Sequence, residues 1–213
     1  MIGSSTTVSC SRNPRITVKD IPGHFALTYS HTNAYVDIVE VKRSMKMAAD
    51  AASILAEAYA YALQIDTIVA MDGTEILGAF LAESLVRGNR HAVDQNSDIH
   101  VVTPELENST QMIFRDNLQP MIRGKKSLVL CGSLLTGIKV KKAMECVKWY
   151  GGTIVGVAAV FSILDEIGGI PVQSLFGKQD FPGYQSWDGA ECPLCKSGQK
   201  IDALANCYGY SRL

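Results

Sequence analysis

Two short stretches of the chain hold residues able to do chemistry together. In Asp72-Gly73-Thr74-Glu75-Ile76-Leu77-Gly78 two carboxylates flank a glycine just ahead of a helix-forming run. Gly73 can take backbone angles closed to other residues, and the amides after it would open a helix whose N-terminus favours anions. The carboxylates can instead meet a metal or a hydroxyl, and a plain tight βα turn accounts for the same spacing. The second stretch is Cys131-Gly132-Ser133-Leu134-Leu135-Thr136-Gly137-Ile138-Lys139. Ser133, Thr136 and Gly137 form a compact, hydroxyl-rich loop before a helix. With the amides from Ser133 to Lys139, the Thr136 hydroxyl and the Lys139 charge, it would cup a phosphate monoester. The order Gly-x-x-x-x-Gly-Lys-Ser/Thr is absent, so the loop is not a P-loop.

Cysteines make a third cluster. Cys192-Pro193-Leu194-Cys195, with Cys207 after eleven intervening residues, resembles half of a zinc knuckle. Zinc needs four tetrahedral ligands, and no histidine follows Cys195. Further ligands would have to come from His24, His31, His91, His100, another cysteine or a second subunit. So incomplete a set predicts packed free thiols in a docked tail rather than bound zinc.

The elements that position these residues follow from periodicity. Between residues 15 and 41, β-prone stretches (16–18, 25–29, 35–41) are punctuated by Pro22-Gly23 and His31-Thr32-Asn33, which is strand-and-turn chemistry. Ser44 offers an N-cap to a helix on which Met47, Ala48, Ala51, Leu55, Ala58 and Ala62 recur at helical spacing. A β-α rhythm follows. Strands are expected at 66–71, 98–103, 126–131 and 153–160, with a helix to about Val86 and another bearing Val140, Met144 and Val147 on one face. Gly151-Gly152 closes the latter. This alternation predicts an α/β fold with a mainly parallel sheet flanked by helices. In such a sheet both loops fall at the carboxyl ends of strands, on one edge, where ligands collect. Together they predict a phosphorylated small molecule lying across both.

Composition limits the alternatives. Of 213 residues, 47% are hydrophobic and 19% charged, enough for a sizeable core and too few charges for disorder. Lys plus Arg (20) nearly balance Asp plus Glu (21), which argues against coating nucleic acid or an anionic membrane. No apolar run reaches the roughly 18 residues of a membrane helix, and the start lacks the order of a secretory signal. A cytoplasmic protein with reduced thiols is expected. Residues 1–13 read as a mobile tail, 14–176 as one domain with its first strands at 15–42, and 177–213 as a docked C-terminal tail.

With these motifs in place, the chain resembles the type I phosphoribosyltransferases, and most the orotate phosphoribosyltransferases, over roughly residues 23–175. Gly23-His24-Phe25-Ala26-Leu27-Thr28 and Asn33-Ala34-Tyr35-Val36-Asp37 resemble the family's β hood. The run from Asp72 to Ala82 is similar to its pyrophosphate loop and following helix. Gly124-Lys125-Lys126, the strand Leu128-Val129-Leu130 and then Thr136-Gly137 sit where the signature for phosphoribosyl pyrophosphate lies, and residues 170–175 resemble the end of the same enzymes. The resemblance implies phosphoribosyl transfer to a nitrogenous base, with magnesium, in a homodimer whose mobile loop, residues 104–120, reaches the partner's site.

The departures carry weight of their own. Where the family has two adjacent acidic residues for the ribose hydroxyls, the chain has Cys131-Gly132, leaving Asp72 or Glu75 as stand-ins. The hood lysine of orotate enzymes falls at about Thr28, and between residues 104 and 120 the only basic residue is Arg115. His31, in the hood, would face the base or be a solvated turn residue. Orotate is therefore a doubtful acceptor. A non-catalytic regulator binding a nucleotide or phosphosugar is the alternative, and the pair Cys131→Glu with Gly132→Asp is expected to strengthen magnesium-dependent donor binding.

Overall fold

In a computed structural model the structure describes residues 2–59, 64–88, 98–107 and 111–213. In chain order the elements are β1 (Thr6–Cys10), β2 (Asn13–Ala26), β3 (His31–Asp37), α1 (Val39–Arg43), α2 (Met45–Glu57), β4 (Thr67–Ala70), α3 (Glu75–Gly88), β5 (His100–Val102), β6 (Glu105–Glu107) and β7 (Gln111–Ile113). They continue as β8 (Lys126–Leu134), α4 (Ile138–Trp149), β9 (Thr153–Ser162), β10 (Glu166–Ile167), β11 (Ile170–Phe176), β12 (Ser186–Trp187), α5 (Pro193–Lys196), β13 (Ala203–Asn206) and β14 (Gly209–Arg212).

The central sheet has the order β10-β11-β9-β8-β4-β5, parallel except for β10. Helices cover both faces, so its middle strands are apolar on both sides, as parallel strands must be. Leu128 and Leu130 of β8 pack with Ala48, Ala51 and Leu55 of α2 and Leu77 and Leu81 of α3. Val129 and Cys131, on the opposite face, pack with Val140, Met144 and Val147 of α4. The Ser44 hydroxyl caps α2 by accepting from Met47 N at 3.4 Å. Ala48, Ala51 and Ala52 are fully buried, small enough for close helix packing. The helix ends at Glu57, and Ala62 lies outside the described residues, as does His91.

A second sheet, the hood, has the order β12-β3-β2-β13-β14, with β1 also paired to β2. Three expectations change here. The N-terminal segment contains a strand where a mobile tail was expected: β1 runs antiparallel along β2 and buries Cys10. Its Thr and Ser residues suit an edge strand whose backbone is satisfied by β2. The stretch 35–41 is a strand only to Asp37, whose carboxylate accepts from Val39 N at 3.0 Å and turns the chain into α1. The C-terminal segment does more than dock. β12 pairs with β3, and β13 lies parallel to β2 at Phe25 and Ala26, so residues 177–213 complete the hood.

The described residues of 104–120 hold regular structure where an aperiodic polar loop was expected. β6 and β7 pair antiparallel, and Phe114, 1% exposed, follows β7 and packs against Tyr150.

Candidate functional site

The two expected turns meet at the carboxyl ends of β4 and β8. In the first, Asp72 (φ 59°) and Gly73 (φ 74°) are both left-handed, a backbone that Asp tolerates better than most residues. Two side chains hold it there. Lys42 Nζ donates to Asp72 O at 2.8 Å and also to Cys207 O, and Thr74 Oγ1 donates to Met71 O at 2.7 Å. The Thr74 hydroxyl is thus committed to the loop itself. Glu75 points aside, accepting from Thr103 Oγ1 at 3.2 Å.

The second turn is shorter than its sequence suggests, because β8 continues through Ser133 to Leu134. Gly137 (φ 75°) is the N-cap of α4, a left-handed backbone that strains other residues, and a Cβ there would also approach Ile167 Cδ1 to 2.9 Å. Ile138 N donates to Thr136 Oγ1 at 3.5 Å. The remaining first-turn amides of α4 have no intrahelical carbonyl to meet.

Between this edge and the hood lies a cleft with about 890 Å³ of empty space, part of it open to solvent. Ser133, Thr136, Gly137 and Lys139 form one wall, Thr28 and Tyr29 the hood side, and Asn206 and Cys207 a third side. Asp72 is the only acidic residue among the described residues lining it. Lys139 Nζ stands 3.2 Å from Asp72 Oδ1. Burial pulls the Lys139 pKa down, but the Asp72 charge and hydrogen bond outweigh it and leave it raised. Burial and the same carboxylate push the Cys207 thiol up. Burial also lowers Lys42, which is 1% exposed.

Of the other expected site residues, several lie elsewhere. His31 does not line the cleft. Its Nδ1 sits 3.3 Å from both Cys195 Sγ and His24 Nε2, because alternation along β3 turns it away from the cleft-lining Thr32. Cys207 is not grouped with Cys192 and Cys195 but stands in the cleft. Arg115 donates to Glu105 Oε2 at 2.9 and 2.6 Å, so its charge is matched by a carboxylate of β6. Cys131 is fully buried, its Sγ directed at Ala158 O at 3.6 Å and its pKa driven far up by burial. Gly132 faces Ile38, Lys42 and Asp72, with Ile38 Cδ1 at 3.0 Å from where a Cβ would stand. The backbone there is ordinary, and a side chain would require the tip of Ile38 to give way. An acidic pair at Cys131-Gly132 would put one carboxylate into the core, so the expected rescue of donor binding does not fit.

Lys42 and Asn206 escaped the sequence reading. A lysine in a short helix reads as solvated, and nothing local says that the chain end folds back over it. The eleven-residue gap before Cys207 was the available hint that it belongs elsewhere.

A parallel sheet covered on both faces, with a β hood over the carboxyl edge of its strands, is the architecture of a type I phosphoribosyltransferase. A phosphoribosyltransferase from Corynebacterium diphtheriae shares it with a TM-score of 0.51 and 17% identity, over 76% of this chain and 91% of that one, a likeness of fold. In sequence the similarity is to orotate phosphoribosyltransferases. The enzyme of Thermotoga petrophila is 40% identical over 80 residues, 35% of this chain and 39% of that protein. That of Caldanaerobacter subterraneus subsp. tengcongensis is 26% identical over 179 residues, 83% of this chain and 85% of that one. The chain thus matches about two fifths of the length of the Thermotoga relative. No family model matches it. Among the described residues no helix is long and apolar enough to cross a membrane.

Proposed function

We propose that the protein transfers a phosphoribosyl group from phosphoribosyl pyrophosphate to a nitrogenous base, with orotate a poor acceptor, binding the donor in the cleft. The bond from the sugar C1 to pyrophosphate breaks and one from C1 to a base nitrogen forms. The observation that carries this reading is the Lys139–Asp72 ion pair, which joins the two anion-favouring turns on one edge beneath the hood. The 5′-phosphate sits against the first amides of α4 and the Thr136 hydroxyl, beside Lys139. Asp72, which faces the cleft, rather than Glu75, which does not, supplies the carboxylate missing at Cys131-Gly132. A magnesium ion fits this donor set, since magnesium usually takes one or two carboxylates and completes its shell with phosphates and water. It would be held through Asp72 and would offset charge on the leaving pyrophosphate. Tyr29 and Thr28 close the side where the base enters. The resemblance also supports a homodimer, which light scattering tests.

A specific observation favours a second reading, a regulator that binds without turnover. Cys131 and Gly132 offer no carboxylate and lie inside β8, packed against Ala158 O and the Ile38 side chain, and Asp72 and Lys139 already neutralise each other. Pyrophosphate release from the donor, measured with a panel of purine and pyrimidine bases, separates the two. The transfer reading expects base-dependent release, least with orotate. Donor binding without release for any base supports the regulator.

A further inference from the structure

We propose that His24, His31, Cys192 and Cys195 form a structural zinc site that clamps the C-terminal segment onto the hood. One ligand atom from each lies within 4.8 Å of the other three. His24 Nε2 is 3.3 Å from His31 Nδ1, 3.5 Å from Cys192 Sγ and 3.6 Å from Cys195 Sγ, and Cys195 Sγ is 3.3 Å from His31 Nδ1. A tetrahedron with Zn–N near 2.0–2.1 Å and Zn–S near 2.3 Å has N···N edges of about 3.3 Å and N···S edges of about 3.6 Å. Those four separations lie within about 0.3 Å of the tetrahedral edges, and the other two are no more than 4.8 Å.

Hydrogen bonding accounts poorly for the same cluster. His24 Nδ1 lies 3.1 Å from Gln199 O and 3.2 Å from Lys200 O. Carbonyls only accept, so Nδ1 carries the proton and Nε2 is left with one lone pair. Two sulfurs and a second imidazole nitrogen converge on that lone pair, which can accept one hydrogen bond well. A cation at their centre satisfies all four, and the carbonyls on Nδ1 are the outer contacts that orient a ligating histidine. Binding replaces each S–H bond with S–Zn and releases the thiol protons to solvent. Two thiolates and two imidazoles suit zinc rather than magnesium, and four protein ligands leave no open position for catalysis.

The backbone is arranged for this. Cys192 begins α5, Lys196 N donates to Cys192 O at 3.1 Å, and Gly198 N donates to Cys195 O at 2.9 Å, forming a tight knuckle. The histidines come from β2 and the first residue of β3, so the ion would join two strands of the hood to the segment between β12 and β13. That segment leads to Cys207 at the cleft, which gives the metal a positional role independent of the reaction proposed above.

Metal analysis of the full chain, purified under reducing conditions, loaded with zinc and desalted, tests the site. The expected content is about one zinc per chain, with Cys195→Ser retaining less than about a tenth as much and Cys207→Ser retaining all of it. Cys195 is exposed, so this variant should fold. Wild-type protein loaded with cobalt provides a readout that needs no variant: intense tetrahedral d–d bands with thiolate charge transfer. Wild-type protein without zinc after loading, weak octahedral cobalt bands, or equal loss in Cys207→Ser and Cys195→Ser would each overturn the proposal.

Discussion

Lys139 Nζ lies 3.2 Å from Asp72 Oδ1, so the first turn of α4 and the loop after β4 are tied by one ion pair at the mouth of the cleft. Neither partner is fully exposed, and an incoming phosphate would exchange one anionic partner of Lys139 for another.

Replacing that cation should therefore cost ligand affinity. Lys139→Gln is expected to weaken binding of ribose 5-phosphate about tenfold, or ~1.4 kcal/mol, by calorimetry. The pH dependence has a definite sign. Asp72 holds the Lys139 pKa above its ordinary 10.5, despite burial. The pair's contribution to stability is thus fully present below 10.5 and is lost as pH rises through the folded-state value. Wild-type stability should fall more steeply than that of Lys139→Gln in that window, as urea titrations at stepped pH would record.

Asp72 and Glu75 are two carboxylates three residues apart with different surroundings. Asp72→Asn should remove most of the magnesium dependence of donor binding, whereas Glu75→Gln should leave it within about twofold, because Glu75 is engaged with Thr103. Titrations with and without magnesium give the comparison. Equal effects in the two variants would withdraw the role assigned to Asp72.

Cys131 is fully buried inside β8. Cys131→Glu is expected to destabilise the fold by roughly 3 kcal/mol or more, since it would bury a carboxylate in the core, where the Asp72 charge adds repulsion. Gly132→Ala should cost less than about 1.5 kcal/mol, as only the flexible tip of Ile38 needs to shift. Denaturant midpoints measure both.

Much of this was legible in the residues. The apolar runs expected as strands at 66–71, 126–131 and 153–160 are β4, β8 and β9, the last two extending further than expected, and the parallel topology placed the two turns on one edge. What stayed hidden depends on long-range contacts. β1 has no apolar period of its own and is fixed by β2. His31 was expected either to face the base or to be a solvated turn residue, and neither reading found Cys195, 164 residues away. Lys42 looks like any surface lysine until the chain end closes over it.

That closure can be tested at Lys42, whose ammonium bridges Asp72 O and Cys207 O. Lys42→Ala leaves two carbonyls without their donor and should lower stability by about 2–3 kcal/mol. Amide exchange at Tyr208, whose ring stands beside Gly73, should accelerate. Unchanged exchange there would mean that the segment is held by β13 and β14 alone.

The central claim is that the α4 turn grips the 5′-phosphate of the donor. Phosphorus NMR of phosphoribosyl pyrophosphate titrated with wild-type protein tests it most directly, because the monoester and diphosphate signals are resolved. The account predicts that the 5′-phosphate resonance shifts and broadens with wild-type protein, and less with Lys139→Gln. An unperturbed 5′-phosphate signal at saturating protein, or changes confined to the diphosphate, would contradict it.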